Sequence, residues 1–211
     1  MKNKLYKKVI IFDLDGVLIN SKKNMQYSWT SVQKKFDIKN IYFDDYFNKI
    51  GRPFYKILEI LKISKNKKNI KRTYDYNSIK FLKLIKFYPN VIKILRELKN
   101  KKFILCIVTS KDKKRTNMIL NNYRDLFTII QCPQNNLKGK PNPDQIIAVI
   151  KKIKAKKNEC IYIGDTYIDY LASKRAKIDF LFAEWGYTKK INKYLFTIKK
   201  ITDLRKKISL G

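Results

Sequence analysis

The sequence predicts an α/β protein: a parallel sheet of about five strands, with a small α-helical insertion after the first strand. Three observations carry this expectation. Val9-Ile10-Ile11-Phe12 is an uninterrupted apolar run ending in Asp13-Leu14-Asp15-Gly16, and a run of this kind reads as a strand buried on both faces. Two further runs, Phe103-Ile104-Leu105-Cys106-Ile107-Val108 and Ile161-Tyr162-Ile163, also end in polar residues. Helical patterns separate these runs, and the β-α-β alternation implies a parallel sheet with right-handed crossovers. Residues 20–86, by contrast, contain no convincing strand and are read as the insertion. The expected units are therefore residues 1–19 with 87–211 as a core, and residues 20–86 as a helical unit set into it.

With 211 residues the chain can bury a sizeable core. No apolar stretch is long enough to span a membrane, and Asp13 and Asp15 interrupt the only apolar run near the N-terminus, so no signal peptide is expected. Cys106, Cys132 and Cys160 are odd in number and lack metal-ligand spacing, which suggests reduced thiols in a cytoplasmic protein. The chain has no His, which excludes His-based triads and His-containing zinc sites. Its 49 basic residues against 17 acidic ones give a net charge of +32. Such a charge attracts nucleic acids or acidic surfaces. The lysines are spread along the whole chain and accompanied by abundant Asn, Ile, Tyr and Phe, so the bias that AT-rich coding produces is the favoured reading.

In order, the spacing of Met25, Trp29, Val32 and Phe36 predicts a helix over 21–36. Short helices are expected at 41–50 and 52–62, separated by Gly51-Arg52-Pro53. The Lys-rich stretch 64–71 reads as a solvated loop or exposed helix end, and 77–87 as a further helix with Ile79, Leu82 and Ile85 on one side. Helices at 90–100, 113–122 and 168–176 follow, with another beginning at Pro143-Asp144 and continuing to 153. The remaining strands are expected at 127–130 and 180–183. Ala176-Lys177-Ile178 carries no Gly, so the preceding helix is expected to end without an easy left-handed cap.

The strand ends hold a consistent chemistry. Asp13 and Asp15 fall just beyond the carboxyl end of a buried strand, where open parallel sheets bind ligands. They lie on the same side of an extended segment and repel one another, a conflict that a cation or a shared proton resolves. An aspartate such as Asp13 can act as a nucleophile, and Asp15 is placed to act as acid and base. Thr109 and Ser110 offer a hydroxyl and backbone N–H groups, which form either an anion cradle or an ordinary helix cap. Lys140 is fixed between Gly139 and Pro141, where its charge would hold Asp13 ionised. Asp165 and Asp169, four apart at a strand-to-helix turn, could meet Asp13 in an oxygen-rich site suited to Mg²⁺, or could serve the helix end as cap and first-turn acid.

Taken in order, Asp13-x-Asp15, Thr109-Ser110 after a strand, Lys140-Pro141-Asn142-Pro143-Asp144 and Gly164-Asp165-x-x-x-Asp169 resemble the four motifs of the haloacid dehalogenase-like (HAD) hydrolase superfamily. The resemblance spans nearly the whole chain and is nearest to phosphoglycolate phosphatase-like members, through Gly51-Arg52-Pro53 and Trp185-Gly186-Tyr187 as well. It implies a Rossmann-like core with a helical cap inserted after the first motif. It also implies a phosphatase working through an aspartyl-phosphate, with Asp13 as nucleophile, Asp15 as acid/base, and Thr109, Ser110 and Lys140 binding phosphate. Mg²⁺ would be held by Asp13, the backbone carbonyl of Asp15 and Asp165, with Asp169 supporting them. Arg52 is the cap residue expected to touch a substrate carboxylate or phosphate.

A dehalogenase is disfavoured by Asp15, because that reaction has no leaving oxygen to protonate. The cap lacks the His-bearing motif of β-phosphoglucomutase-like phosphotransferases. The expected partner is a small phosphorylated metabolite, and the expected assembly a monomer or homodimer. Two rivals remain: a nucleic-acid end phosphatase using the basic surface, and a catalytically silent binding module on the same scaffold.

Overall fold

In the computed structural model, which describes residues 5–188 and 196–210, β1 (Leu5–Lys7) leads directly into β2 (Val9–Phe12), whose four side chains are fully buried. Burying a side chain of this size contributes about 1.5–3 kcal/mol, so β2 anchors the core. The chain continues through β3 (Ile19–Asn20), α1 (Lys22–Phe36), α2 (Phe43–Phe47), α3 (Phe54–Ile60), α4 (Lys67–Lys80) and β4 (Lys86–Phe87). Alternation follows: α5 (Val91–Asn100), β5 (Ile104–Val108), α6 (Lys113–Leu120), β6 (Ile129–Gln131), α7 (Asp144–Ile153), β7 (Cys160–Gly164), α8 (Tyr167–Ala176) and β8 (Asp179–Ala183). β9 (Thr197–Ile198), α9 (Leu204–Lys207) and β10 (Ile208–Leu210) complete the described chain.

Six strands form one parallel sheet in the order β6-β5-β2-β7-β8-β9. Phe12 lies beside Ile107 and Ile163, so the segments beginning at Asp13, Thr109 and Asp165 leave the sheet at the same edge. Strand side chains alternate between faces. Ile10 and Phe12 join Leu105, Ile161 and α5 on one face, while Val9 and Ile11 join Cys106, Tyr162, α7 and α8 on the other. β9 adds a sixth strand at the edge, and β1 pairs with β10 in a separate two-stranded ribbon.

Residues between β3 and β4 pack around a cluster of their own, built on Trp29, Tyr46, Leu58, Ile70 and Tyr74. β3 and β4 pair antiparallel, Ile19 with Phe87 and Asn20 with Lys86, so the chain leaves the core and returns through adjacent strands. One expectation needs correction here. The helix expected over 77–87 is instead the end of α4, followed by a 3₁₀ turn at Leu82–Leu84 and then β4. Of the two readings of 64–71, a solvated loop or an exposed helix end, the helix end holds from Lys67 onward, where α4 begins. The cause is the composition of the buried stripe of α4, which runs through Ile70, Tyr74 and Ser78. Ser78 is buried because it exchanges hydrogen bonds with Asn24 of α1, both at 2.8 Å. A stripe ending in a polar pair leaves no apolar periodicity to read.

The end of α8 also departs from expectation. Lys177 itself takes the left-handed conformation, φ +59°, and its N–H caps the Ser173 and Lys174 carbonyls. Lys154 does the same after α7. With only six glycines in the chain, these caps fall to residues that carry a Cβ, at about 1–2 kcal/mol of strain each. No described helix is long and apolar enough to cross a membrane. The left-handed cap gives a direct test: Lys177→Gly should raise the unfolding free energy by about 1 kcal/mol in urea titrations. An unchanged or lower midpoint would contradict the assigned cap.

Candidate active site

Asp13 sits at the end of β2, buried, and receives a 2.8 Å hydrogen bond at Oδ1 from Lys140 Nζ. The Lys140 ammonium also donates to Asp169 Oδ1 at 2.7 Å and to the Tyr162 hydroxyl at 3.2 Å. Its three protons therefore meet three acceptors, which is how a lysine 1 % exposed is tolerated. Tyr162 in turn donates to the Val108 carbonyl at 3.1 Å. Burial pulls the Lys140 pKa down, but the Asp13 and Asp169 carboxylates outweigh it and hold the ammonium well above its ordinary range. For Asp13 burial dominates, only partly offset by Lys140, and lifts its pKa to about 7.

Asp165 and Asp169 come from the turn between β7 and α8. Asp169 closes a capping box: its Oδ2 accepts from the Thr166 N–H and hydroxyl, while its own N–H donates to Thr166 Oγ1. It therefore serves the helix end and the site at once. Asp165 is fully buried, and Oδ2 accepts from the Tyr187 N–H at 2.7 Å. Gly16, at φ +88°, and Gly186 press against it, and a Cβ on either would collide with the Asp165 side chain. Both positions therefore require glycine. Burial, reinforced by the charges of Asp169 and Asp13, raises the Asp165 pKa well above the usual carboxylate range.

One carboxylate oxygen each from Asp13, Asp165 and Asp169 lies within 4.8 Å of the others. The donor set fits a hard cation. Among the described residues Asp165 Oδ1 is buried without a hydrogen-bond partner, and an orphaned carboxylate oxygen is costly unless a cation meets it. Asp169 is already engaged at both oxygens, by Lys140 and by Thr166, which suits it to a supporting place. The Asp15 carboxylate does not join the cluster. Its Oδ1 accepts from the Ser21 hydroxyl and pairs with Lys111 Nζ at 3.2 Å.

Above this floor lies a cleft with about 70 Å³ of free volume, lined by Asp13, Asp15, Thr109, Ser110, Lys140 and Arg52 among others. The sequence-predicted residues thus meet in one place, with two qualifications. The Thr109 N–H is used in the sheet, bonded to the Gln131 carbonyl at 3.0 Å, so only its hydroxyl remains for a ligand. The Ser110 hydroxyl donates to the Gly51 carbonyl at 2.7 Å and so ties the core to the inserted helices. Arg52 is half-buried and donates to the Lys49 carbonyl at 3.1 Å; burial lowers its pKa.

Sequence reading missed four participants. Lys111 follows Thr109 by two residues and so shares its side of an extended segment, a usable signal. Tyr162, a hydroxyl in an otherwise apolar strand, needed a buried partner, which is also a signal. Arg115 and Ser21 gave none. Arg115 of α6 is buried between Asp112 and Asp75 of α4, the latter at 3.1 Å, with its guanidinium 5.5 Å from the centre of the Tyr74 ring.

A model of the haloacid dehalogenase-like hydrolase family matches residues 10–183. A phosphoglycolate phosphatase from Aquifex aeolicus is 29 % identical over 209 residues, covering 94 % of this chain and 95 % of that one. Pyrophosphatase PpaX from Bacillus velezensis is 27 % identical over 169 residues, covering 79 % and 78 %. Among solved structures, a haloacid dehalogenase-like family hydrolase from Streptococcus pneumoniae superposes with a TM-score of 0.83 at 22 % identity, covering 95 % of this chain and 97 % of that one.

The Asp13 environment sets a pH dependence. Its folded pKa, about 7, exceeds the unfolded value of 3.8. The folded state therefore holds the proton more tightly, and this contribution to stability is full below pH 4 and lost as pH rises through 7. In EDTA, the unfolding free energy of the wild type relative to Asp13→Asn should fall across that window by an amount on the order of a few kcal/mol. A flat difference would contradict the buried, raised carboxyl.

Proposed function

Because the chain belongs to the haloacid dehalogenase-like hydrolase family, we propose that it is a Mg²⁺-dependent phosphatase of a small phosphate ester, working through an aspartyl-phosphate on Asp13. The observation that carries this reading is the buried cluster of Asp13, Asp165 and Asp169 on the cleft floor, short of positive charge and anchored by Lys140. Asp13, Asp165 and the backbone carbonyl of Asp15 would hold the ion, with Asp169 in support. Mg²⁺ there would supply a charge that screens the carboxylates from an incoming phosphate.

The protein residues divide the remaining work. An Asp13 carboxylate oxygen attacks phosphorus; the new O–P bond forms as the ester P–O bond breaks. Asp15, its Oδ1 held by Ser21 and Lys111, gives a proton to the leaving oxygen. The same carboxylate then takes a proton from water, which attacks phosphorus and releases inorganic phosphate with Asp13 restored. Lys140 works against the burial that raises the Asp13 pKa and offsets charge on the transferring group. The Thr109 hydroxyl and the Ser110 N–H would contact phosphoryl oxygens.

Residues 20–86 would act as a cap, with the core formed by 1–19 and 87–211, and Arg52 would meet a carboxylate or phosphate on the leaving group. Phosphoglycolate and pyrophosphate are the substrates that the names of the relatives suggest. The inserted segment contributes Met25, Ile50, Arg52 and Phe54 to the lining of the cleft, which supports a small ester over a nucleic-acid end. The three cysteines are free and buried, in keeping with a reducing, cytoplasmic setting.

With Mg²⁺, purified protein should release phosphate from an aryl phosphate and from at least one of phosphoglycolate and pyrophosphate. EDTA should abolish this and added Mg²⁺ restore it; full turnover in EDTA would refute the metal assignment. Asp13→Asn should abolish turnover, and Asp15→Asn should slow each step by about a hundredfold or more. Faster release from 3′-phosphorylated DNA than from the small esters would favour the end-phosphatase reading.

A further inference from the structure

Tyr187 lies on the segment after β8, far from Asp15 in sequence, yet a continuous hydrogen-bond chain joins them. The Ser21 hydroxyl donates to Asp15 Oδ1. Having one proton, that hydroxyl must accept at its other contact, the Tyr187 hydroxyl at 3.0 Å. The direction is therefore fixed: Tyr187 O–H to Ser21 Oγ, and Ser21 O–H to Asp15 Oδ1. The Tyr187 oxygen also accepts from the Ser21 N–H at 2.7 Å. Ser21 is fully buried, so water does not replace these contacts.

The same tyrosine is held at two other points. Its backbone N–H donates to Asp165 Oδ2 at 2.7 Å, and its ring meets the edge of Phe47, an α2 residue, with centroids 5.0 Å apart. One residue thus touches the metal-side carboxylate, the first turn leaving the core, and the inserted helices. Lys111 Nζ, at 3.2 Å, is the second partner of Asp15 Oδ1. With Oδ1 restrained by two groups, Oδ2, which has no partner among the described residues, is left to face the cleft.

We propose that Tyr187 is a positioning residue which, through Ser21, orients the Asp15 carboxyl so that its free oxygen can deliver a proton to the leaving group. The inference rests on the phosphatase reading above. Asp15 is needed as an acid only where the leaving oxygen is basic, so its misplacement should penalise alkyl esters more than aryl esters. A purely structural role would penalise both alike, because loss of folded protein divides out of the ratio.

The experiment compares kcat/KM, which reports through phosphoryl transfer, for glycerol 2-phosphate and p-nitrophenyl phosphate. For Tyr187→Phe, which keeps the ring against Phe47, the alkyl-to-aryl ratio should fall about tenfold or more, given the sensitivity of catalysis to sub-ångström placement. Ser21→Ala should lower the ratio similarly, the double variant should add little, and Ser21→Thr should restore it. An unchanged ratio in both single variants overturns the proposal. If one single variant does not fold, the ratio in the other decides. A wild type that hydrolyses neither ester refutes the phosphatase reading itself, which separates the two failures.

Discussion

Three carboxylates, those of Asp13, Asp165 and Asp169, are buried together at the carboxyl edge of the sheet with a single buried ammonium, Lys140, among them. Isolated charges in such a setting are strongly disfavoured, and much of the surrounding structure exists to hold them. Lys140 is fully coordinated, Tyr162 is placed in mid-strand to accept from it, and Thr166 satisfies Asp169. Gly16 and Gly186 let backbone approach Asp165 more closely than any side chain would. Among the described residues nothing satisfies Asp165 Oδ1. This arrangement leaves room for one further positive charge.

The inserted helices complete the site through a few specific ties. Ser110 bonds the Gly51 carbonyl, Arg115 pairs with Asp75, and Tyr187 packs on Phe47. Each tie joins a core residue near the cleft to the inserted unit, so closure of the cleft and arrangement of its polar groups are coupled. The Arg115 pair is mostly buried, and breaking one partner of such a pair typically costs several kcal/mol.

The core was legible because its signals are local. Val9–Phe12 and Cys160–Gly164 are apolar runs that end in acids, and both lie in the parallel sheet. The carboxylates and Lys140 were legible because strand ends in a parallel sheet converge, whatever the intervening sequence. The boundaries of α4 were not legible, since Ser78 takes an apolar position by bonding Asn24 across the helix pair. Neither was the left-handed Lys177, because the strain it carries is invisible in residue type. Ser21, Arg115 and the Tyr187 hydroxyl acquire their places only through partners distant in sequence, and a pattern with no local period leaves nothing to read.

The metal reading turns on Asp165 Oδ1, which has no hydrogen-bond partner among the described residues. The most direct measurement is the melting temperature of wild type and Asp165→Asn, each titrated with Mg²⁺ after EDTA treatment, in the absence of substrate. Asp165→Asn should melt higher than wild type without metal, since it removes a carboxyl crowded by Asp13 and Asp169 in a buried site. Mg²⁺ should stabilise the wild type in a saturable manner and leave the variant almost unmoved. Equal Mg²⁺ shifts in the two proteins, or none in the wild type, would contradict it.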